Sequence, residues 1–274
     1  MNLSEFGTAK YPLRPSSLKK LVNCSMQSIL ELLGDLEDSS NAGAQTGTVT
    51  HSAIAAFHRE QRDLESKTVA GLQALKDACK SNPLADEREA EIYFAHYAND
   101  PRNQSAEFVR QHTGGIALEM QVSGKLSPHP SDVTGQDIII AGKLDQLRVF
   151  NGKLCVMDYK TGKTSAFEMM HSHTYQQAAY MELARQNGYP VDEAYIIRGY
   201  KYRERGAALP SPLEAFVAIP FLSKDLPLIL DRVKLEVARV RSGDLQFGPG
   251  AMCGFCPARG ISNCIPIARK RLGI

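Results

Sequence analysis

The sequence predicts an α/β chain, a mixed sheet flanked by helices, on three observations. Residues 139–160 carry two alternating apolar segments joined by Asn151-Gly152, the strongest short-range hairpin signal. A helical stretch, 169–186, is followed by a β-rich segment, 194–200, the order of a helix crossover to a parallel strand. Before and after these lie further segments with apolar residues at helical spacing.

Length and composition set the frame. At 274 residues and 43% hydrophobic, the chain is long enough for one large domain. A net charge of +2 neither requires nor excludes a nucleic-acid partner, because binding a polyanion needs only a local basic face. No apolar run reaches membrane-spanning length and no secretory leader is visible, so a cytoplasmic setting with no membrane partner is expected. Six cysteines in such a setting point to thiols and metal ligands, not a disulfide framework.

In chain order, Pro15-Ser16-Ser17 predicts a helix running to about Leu33 with Ser16 or Ser17 as its N-cap. Cys24 lies on it, and taken alone is a buried apolar filler. After a polar loop, a second helix is expected from Gly47 to about Arg59, carrying His51 and, on much the same face, His58. Residues 64–110 are helical and polar, with Val69, Leu72, Leu75 and Cys79 as one stripe, and would form a helical wall over the sheet. A strand over 114–124 bears Glu119, either approaching a metal from a neighbouring strand or standing exposed.

The hairpin carries the chemistry. Alternation places Ile139, Ala141, Lys143, Asp145, Leu147 and Val149 on one face of its first strand. Leu154, Val156, Asp158 and Lys160 share a face of its second, so Asp145 and Asp158 meet with Lys160 one pleat beyond. Two acids and a lysine on apolar strands are costly to bury without a cation to satisfy them. Thr161-Gly162-Lys163-Thr164 is not a phosphate loop, since Met157 stands where that loop needs glycine. The following helix presents Gln176 and Tyr180 on one face, four residues apart. Lys201, Arg203 and Arg205 form either a phosphate track or a solvated strand end. A short strand at 215–220 and a long amphipathic helix at 222–241 precede Cys253-Gly254-Phe255-Cys256-Pro257 and Cys264, a compact layout for a metal.

Asp145, twelve residues, then Asp158-Tyr159-Lys160 resembles the PD-(D/E)XK nuclease superfamily. The segments GKLDQL and VMDYKTG look like its RecB-like branch, which includes the AddB nuclease domain and a CRISPR-associated adaptation exonuclease. Gly47-x-x-x-His51 and Gln176-x-x-x-Tyr180 resemble elements of that branch, in its order. One cysteine before the core and three after it, here Cys24 with Cys253, Cys256 and Cys264, resemble the branch's [4Fe–4S] ligands, although the gap before Cys264 is long. Zinc is the alternative occupant.

The resemblance implies one domain over 1–274, with about 60–110 as a helical elaboration and Cys24 and 250–266 as a metal clasp. It implies a Mg²⁺- or Mn²⁺-dependent deoxyribonuclease held together by Asp145, Asp158, the Tyr159 carbonyl and His51, with Glu119 as a further candidate ligand. Lys160 would orient the attacking water, and Gln176 and Tyr180 would contact DNA. Exonuclease action on single strands or ends is expected, in repair, recombination or CRISPR adaptation, with proteins of those pathways as candidate partners. The alternatives are an idle DNA-binding platform and a restriction-type endonuclease.

Overall fold

The computed structural model describes residues 2–33, 42–161, 166–199, 216–218, 222–245 and Pro266. The N-terminal helix is broken in two. A 3₁₀ turn at Pro15–Ser17 leads into α1 (Leu18–Asn23), and α2 (Ser25–Leu32) follows after Cys24. Cys24 is extended, at φ −161° and ψ 96°, and half-buried, so it is the joint between the helices and not a core filler. Ser17 precedes α1 without capping it, its hydroxyl instead donating to Glu31 Oε1 at 3.3 Å.

Next come α3 (Ala42–Arg59), α4 (Leu64–Ser81), α5 (Glu87–Asn99) and the short α6 (Pro101–Gln104). Helix α3 starts five residues before the expected Gly47. Asp63 and Asp86 cap α4 and α5, each accepting from the amide three residues on. The expected stripe on α4 holds only in part: Leu75 is fully buried, Cys79 half-buried and Val69 60% exposed.

The strands are β1 (Glu107–Phe108), β2 (Leu118–Leu126), β3 (Ile138–Phe150), β4 (Lys153–Lys160), β5 (Glu193–Arg198) and β6 (Phe216–Ala218). Helix α7 (Ala166–Gln186) makes the crossover between β4 and β5, which are parallel, while every other pairing is antiparallel. The sheet order is β1-β3-β4-β5-β6, with β2 also on β3, and α8 (Leu222–Ser242) closes the described core. Asn151 and Gly152 have φ of +52° and +74°, the paired left-handed positions of a type I′ hairpin.

Two cores lie on opposite faces of this sheet. One gathers Leu144, Leu147, Val156 and Ile196 with α7, α8 and the N-terminal segment. The other gathers Cys155, Met157, Tyr159 and Ile197 with α3, α4 and α5, the expected helical wall. None of the described helices is long and apolar enough to cross a membrane.

The expected alternation of β3 does not run its full length. Ile138, Ile140 and Leu144 enter the first core, and so does Leu147, a step of three instead of two. On the facing strand segment the same core takes Ala117 and then Met120 and Val122. Between those positions sits Glu119 at φ +53°, left-handed and unfavourable for a side chain of this size. The slip therefore lies where Glu119 and Asp145 face one another, between the Leu118–Gln146 and Met120–Leu144 pairs.

Strand β3 is also forked. Its edge opposite β2 pairs with β4 from Phe150 to Gln146, and β4 then departs. Farther along that edge Leu13 takes the place of β4, donating to the Ile139 carbonyl and accepting from the Ala141 amide, both at 2.9 Å. Asp145 and Asp158 mark the fork, where the Tyr159 amide donates to the Asp145 carboxylate at 2.9 Å.

Candidate metal and nucleolytic centre

The fork converges several polar groups on an apolar framework. Helix α3 brings His51 across the sheet end, where its Nε2 lies 2.9 Å from the Tyr159 carbonyl oxygen. A carbonyl only accepts, so Nε2 carries the hydrogen and Nδ1 points elsewhere. Nδ1 lies 3.4 Å from Asp145 Oδ2 and 3.6 Å from Glu119 Oε1. Burial works against the imidazolium, but Asp145 and Glu119 outweigh it and raise the His51 pKa to about 9.

One ligand atom each from His51, Glu119 and Asp145 lies within 4.8 Å of the others, a spacing suited to one divalent cation. Glu119, for which the sequence allows either a ligand or an exposed strand acid, faces this cluster. Its left-handed backbone turns it out of the regular pleat, and the neighbouring Lys143 ammonium is ion-paired with it. Burial raises the Glu119 pKa, but hydrogen bonds from His51 and Lys143 leave it below the usual carboxylate range. Asp145 is held above that range by burial and by the nearby Asp158 charge, against the pull of His51 and Lys160.

Asp158 is 2% exposed. Gln176 Nε2 donates to its Oδ1 at 2.9 Å. Its Oδ2 receives no well-directed hydrogen bond, although the Lys160 ammonium is 2.8 Å away, so a lone pair remains for a cation. Burial disfavours the Lys160 ammonium, but Asp158 and Asp145 reverse the effect and raise its pKa. The donor set is an imidazole with carboxylate oxygens, chemistry that fits Mg²⁺ or Mn²⁺. A cavity of about 520 Å³, lined by His51, Glu119, Lys143, Tyr159 and Lys160, opens onto the cluster.

The structure gives Gln176 and Tyr180 a different occupation from the expected DNA contact. They are 8% and 6% exposed, and the Tyr180 hydroxyl donates to the Lys143 carbonyl at 2.8 Å. Both thus spend their polar ends on the catalytic strands. Lys143 is legible two residues before Asp145, yet the sequence places it only on a strand face. His173, one turn before Gln176 on α7, carries no signal in the sequence that singles it out. Burial, and then the Lys160 charge, lowers its pKa to about 4. His58 is away from the cluster, its Nε2 2.7 Å from the Tyr97 hydroxyl. Cys24 is placed, while Cys253, Cys256, Cys264 and Lys201, Arg203 and Arg205 lie outside the described residues.

Comparison with known proteins gives the chain its relatives. No curated protein matches it. Among solved structures it is similar to one titled "Crystal structure of SSO0001", at 17% identity over 88% of this chain and 90% of that one, with a TM-score of 0.36, too loose a likeness to bear on function. The family model for the PD-(D/E)XK nuclease superfamily matches residues 12–261.

Proposed function

We propose, from the premise that the chain belongs to the PD-(D/E)XK nuclease superfamily, that it is a divalent-metal-dependent DNA nuclease of the RecB-like branch. The observation that carries this reading is the convergence of His51, Glu119 and Asp145 beside the Asp158–Lys160 pair at the fork of the sheet. Asp145, Asp158 and Glu119 with His51 Nδ1 would hold Mg²⁺ or Mn²⁺, while the Tyr159 carbonyl, the other ligand that the resemblance implies, is engaged by the opposite ring nitrogen and orients the imidazole. When bound, the metal supplies an acidified water and charge compensation at the scissile phosphate. Lys160 orients that water and adds positive charge beside the phosphate oxygens. Gln176 fixes the rotamer of Asp158, and His51 is kept in one tautomer by the Tyr159 carbonyl.

Exonuclease action on single strands or DNA ends is the mode we favour, in recombination, repair or CRISPR adaptation, with the whole chain as one domain. Cys24 fits as one ligand of a [4Fe–4S] cluster with Cys253, Cys256 and Cys264, since it is half-buried and stands at the break between two helices. Zinc is the other candidate for those four thiolates.

The experiment is a nuclease assay of wild type, Asp158→Ala and Lys160→Ala on single-stranded, duplex and splayed DNA. Wild type should cut with Mg²⁺ or Mn²⁺ and stop with EDTA. Asp158→Ala and Lys160→Ala should be inactive, the latter still binding metal. Equal activity in wild type and Asp158→Ala would overturn the reading. Iron, zinc or neither in anaerobically purified protein decides the cysteine site, and Cys256→Ser should release whichever metal is found.

A further inference from the structure

We infer that one strand of nucleic acid runs from the catalytic centre across Lys143 into a groove walled by the N-terminal segment 10–16, an inference that rests on the nuclease reading above. The groove occupies the fork in the sheet. Its volume is about 600 Å³, and its floor includes Ala141 and Gly142 of β3. Lys143 lines both this groove and the catalytic cavity, so the two are continuous through its side chain.

The lining has the composition that single strands select. Lys10, Arg14 and Lys143 are its charged residues, with no carboxylate among the described lining residues. Lys10 is ion-paired with Glu5 at 2.9 Å and Lys143 with Glu119. Arg14 is exposed, and its side chain makes no hydrogen bond or ion pair among the described residues, which leaves the guanidinium for a phosphate. Tyr11 is half-buried beside Lys10, whose ammonium is 5.4 Å from its ring centre, and presents an aromatic surface for a base. A cationic rim along an aromatic and apolar floor binds backbone and bases together, without reading sequence.

The wall is rigid. Leu13 is bonded on both sides to β3, and the Ile139 amide donates to the Gly7 carbonyl at 2.7 Å. Pro15 sits so close to Gly142 that a Cβ there would meet Pro15 Cδ at 2.8 Å. Tyr11 and Arg14 are therefore carried on backbone held against the same strand that bears Asp145.

The test is direct binding of fluorescent single-stranded and duplex oligonucleotides to full-length protein in EDTA, where cleavage cannot interfere. Arg14→Ala and Tyr11→Ala should each weaken single-strand binding about 5- to 10-fold or more, in keeping with about 1–3 kcal/mol per stacked base, with melting temperature unchanged. Arg14→Ala should also flatten the dependence of log affinity on log salt by about 0.7 for each phosphate that it leaves without a positive partner. Arg14→Lys and Tyr11→Phe should recover most of the affinity. Wild-type affinity in both alanine variants would overturn the groove, even if wild type cuts DNA normally. Equal loss for duplex and single strand would overturn the single-strand assignment. A wild type that binds through this groove yet never cuts would sink the nuclease reading instead.

Discussion

His51 and Tyr159 set the chemistry of the centre through a single contact. The imidazole gives its Nε2 hydrogen to the Tyr159 carbonyl at 2.9 Å, and this turns the Nδ1 lone pair toward Asp145 and Glu119 when the ring is neutral. A backbone carbonyl is a partner that mutation of side chains does not remove, so the ring orientation is a property of the strand itself.

Metal should therefore stabilise the protein through these residues. Mn²⁺ at about a hundred times its Kd should add about 2.7 kcal/mol, read as a rise in Tm. Asp145→Asn and Glu119→Gln should lose most of that rise. An undiminished rise in both variants would place the ion elsewhere.

Gln176→Ala should act on turnover. Asp158 Oδ1 loses its donor inside the protein, so kcat should fall about 10- to 100-fold, the usual effect of losing an orienting partner. Stability should drop by about 1–3 kcal/mol, and DNA affinity should hold. A weakened DNA Kd with unchanged kcat would restore the direct DNA contact expected from the sequence.

Arg241, near the end of α8, makes a buried clasp. It is 2.6 Å from Asp132 Oδ2 with both side chains fully buried, and it donates to the carbonyls of Phe6 at 2.9 Å and Gln136 at 2.6 Å. Arg241→Ala would strand the Asp132 charge and should cost about 3–5 kcal/mol in urea unfolding. Arg241→Lys should recover little, because a point charge cannot reach acceptors spread around a planar fork. A change below about 1 kcal/mol in Arg241→Ala would refute the clasp.

His58 sets a response to acid. Gln146 donates to the Tyr97 hydroxyl at 2.8 Å, leaving the phenolic hydrogen for His58 Nε2. Burial, then Arg148 and Lys67, lowers its pKa to about 3. The unfolded chain takes up this proton near its ordinary value of about 6.5 while the folded one refuses it. Stability should fall as pH drops below that value, by up to about 1.4 kcal/mol per unit from this group, and level off only near the folded pKa. His58→Gln accepts from Tyr97 without titrating and should flatten the profile between about pH 6 and 4. Parallel profiles for both proteins would show that His58 is not responsible.

The hairpin, the crossover and the helical wall are legible in the sequence because each rests on local rules: a turn that needs Asn-Gly, a period of two, a period of 3.6. The slip at Glu119 and Asp145 is not, since an irregularity shared by two strands leaves no mark on either alone. The same limit hides the break at Cys24, where neither glycine nor proline interrupts the helical pattern. Spacing finds Gln176 and Tyr180 but does not say what they meet within the protein. Their i, i+4 relation fixes a common face of α7, and only the packed structure says that this face looks at β3 and β4.

The left-handed backbone of Glu119 also bears on protein engineering. Glycine would adopt φ +53° at about 1 kcal/mol less conformational strain than glutamate does. A selection that scores only survival on heating should therefore enrich glycine at 119 and return a hardier chain without its acid. Any stabilisation campaign should freeze that codon before randomising the rest of β2.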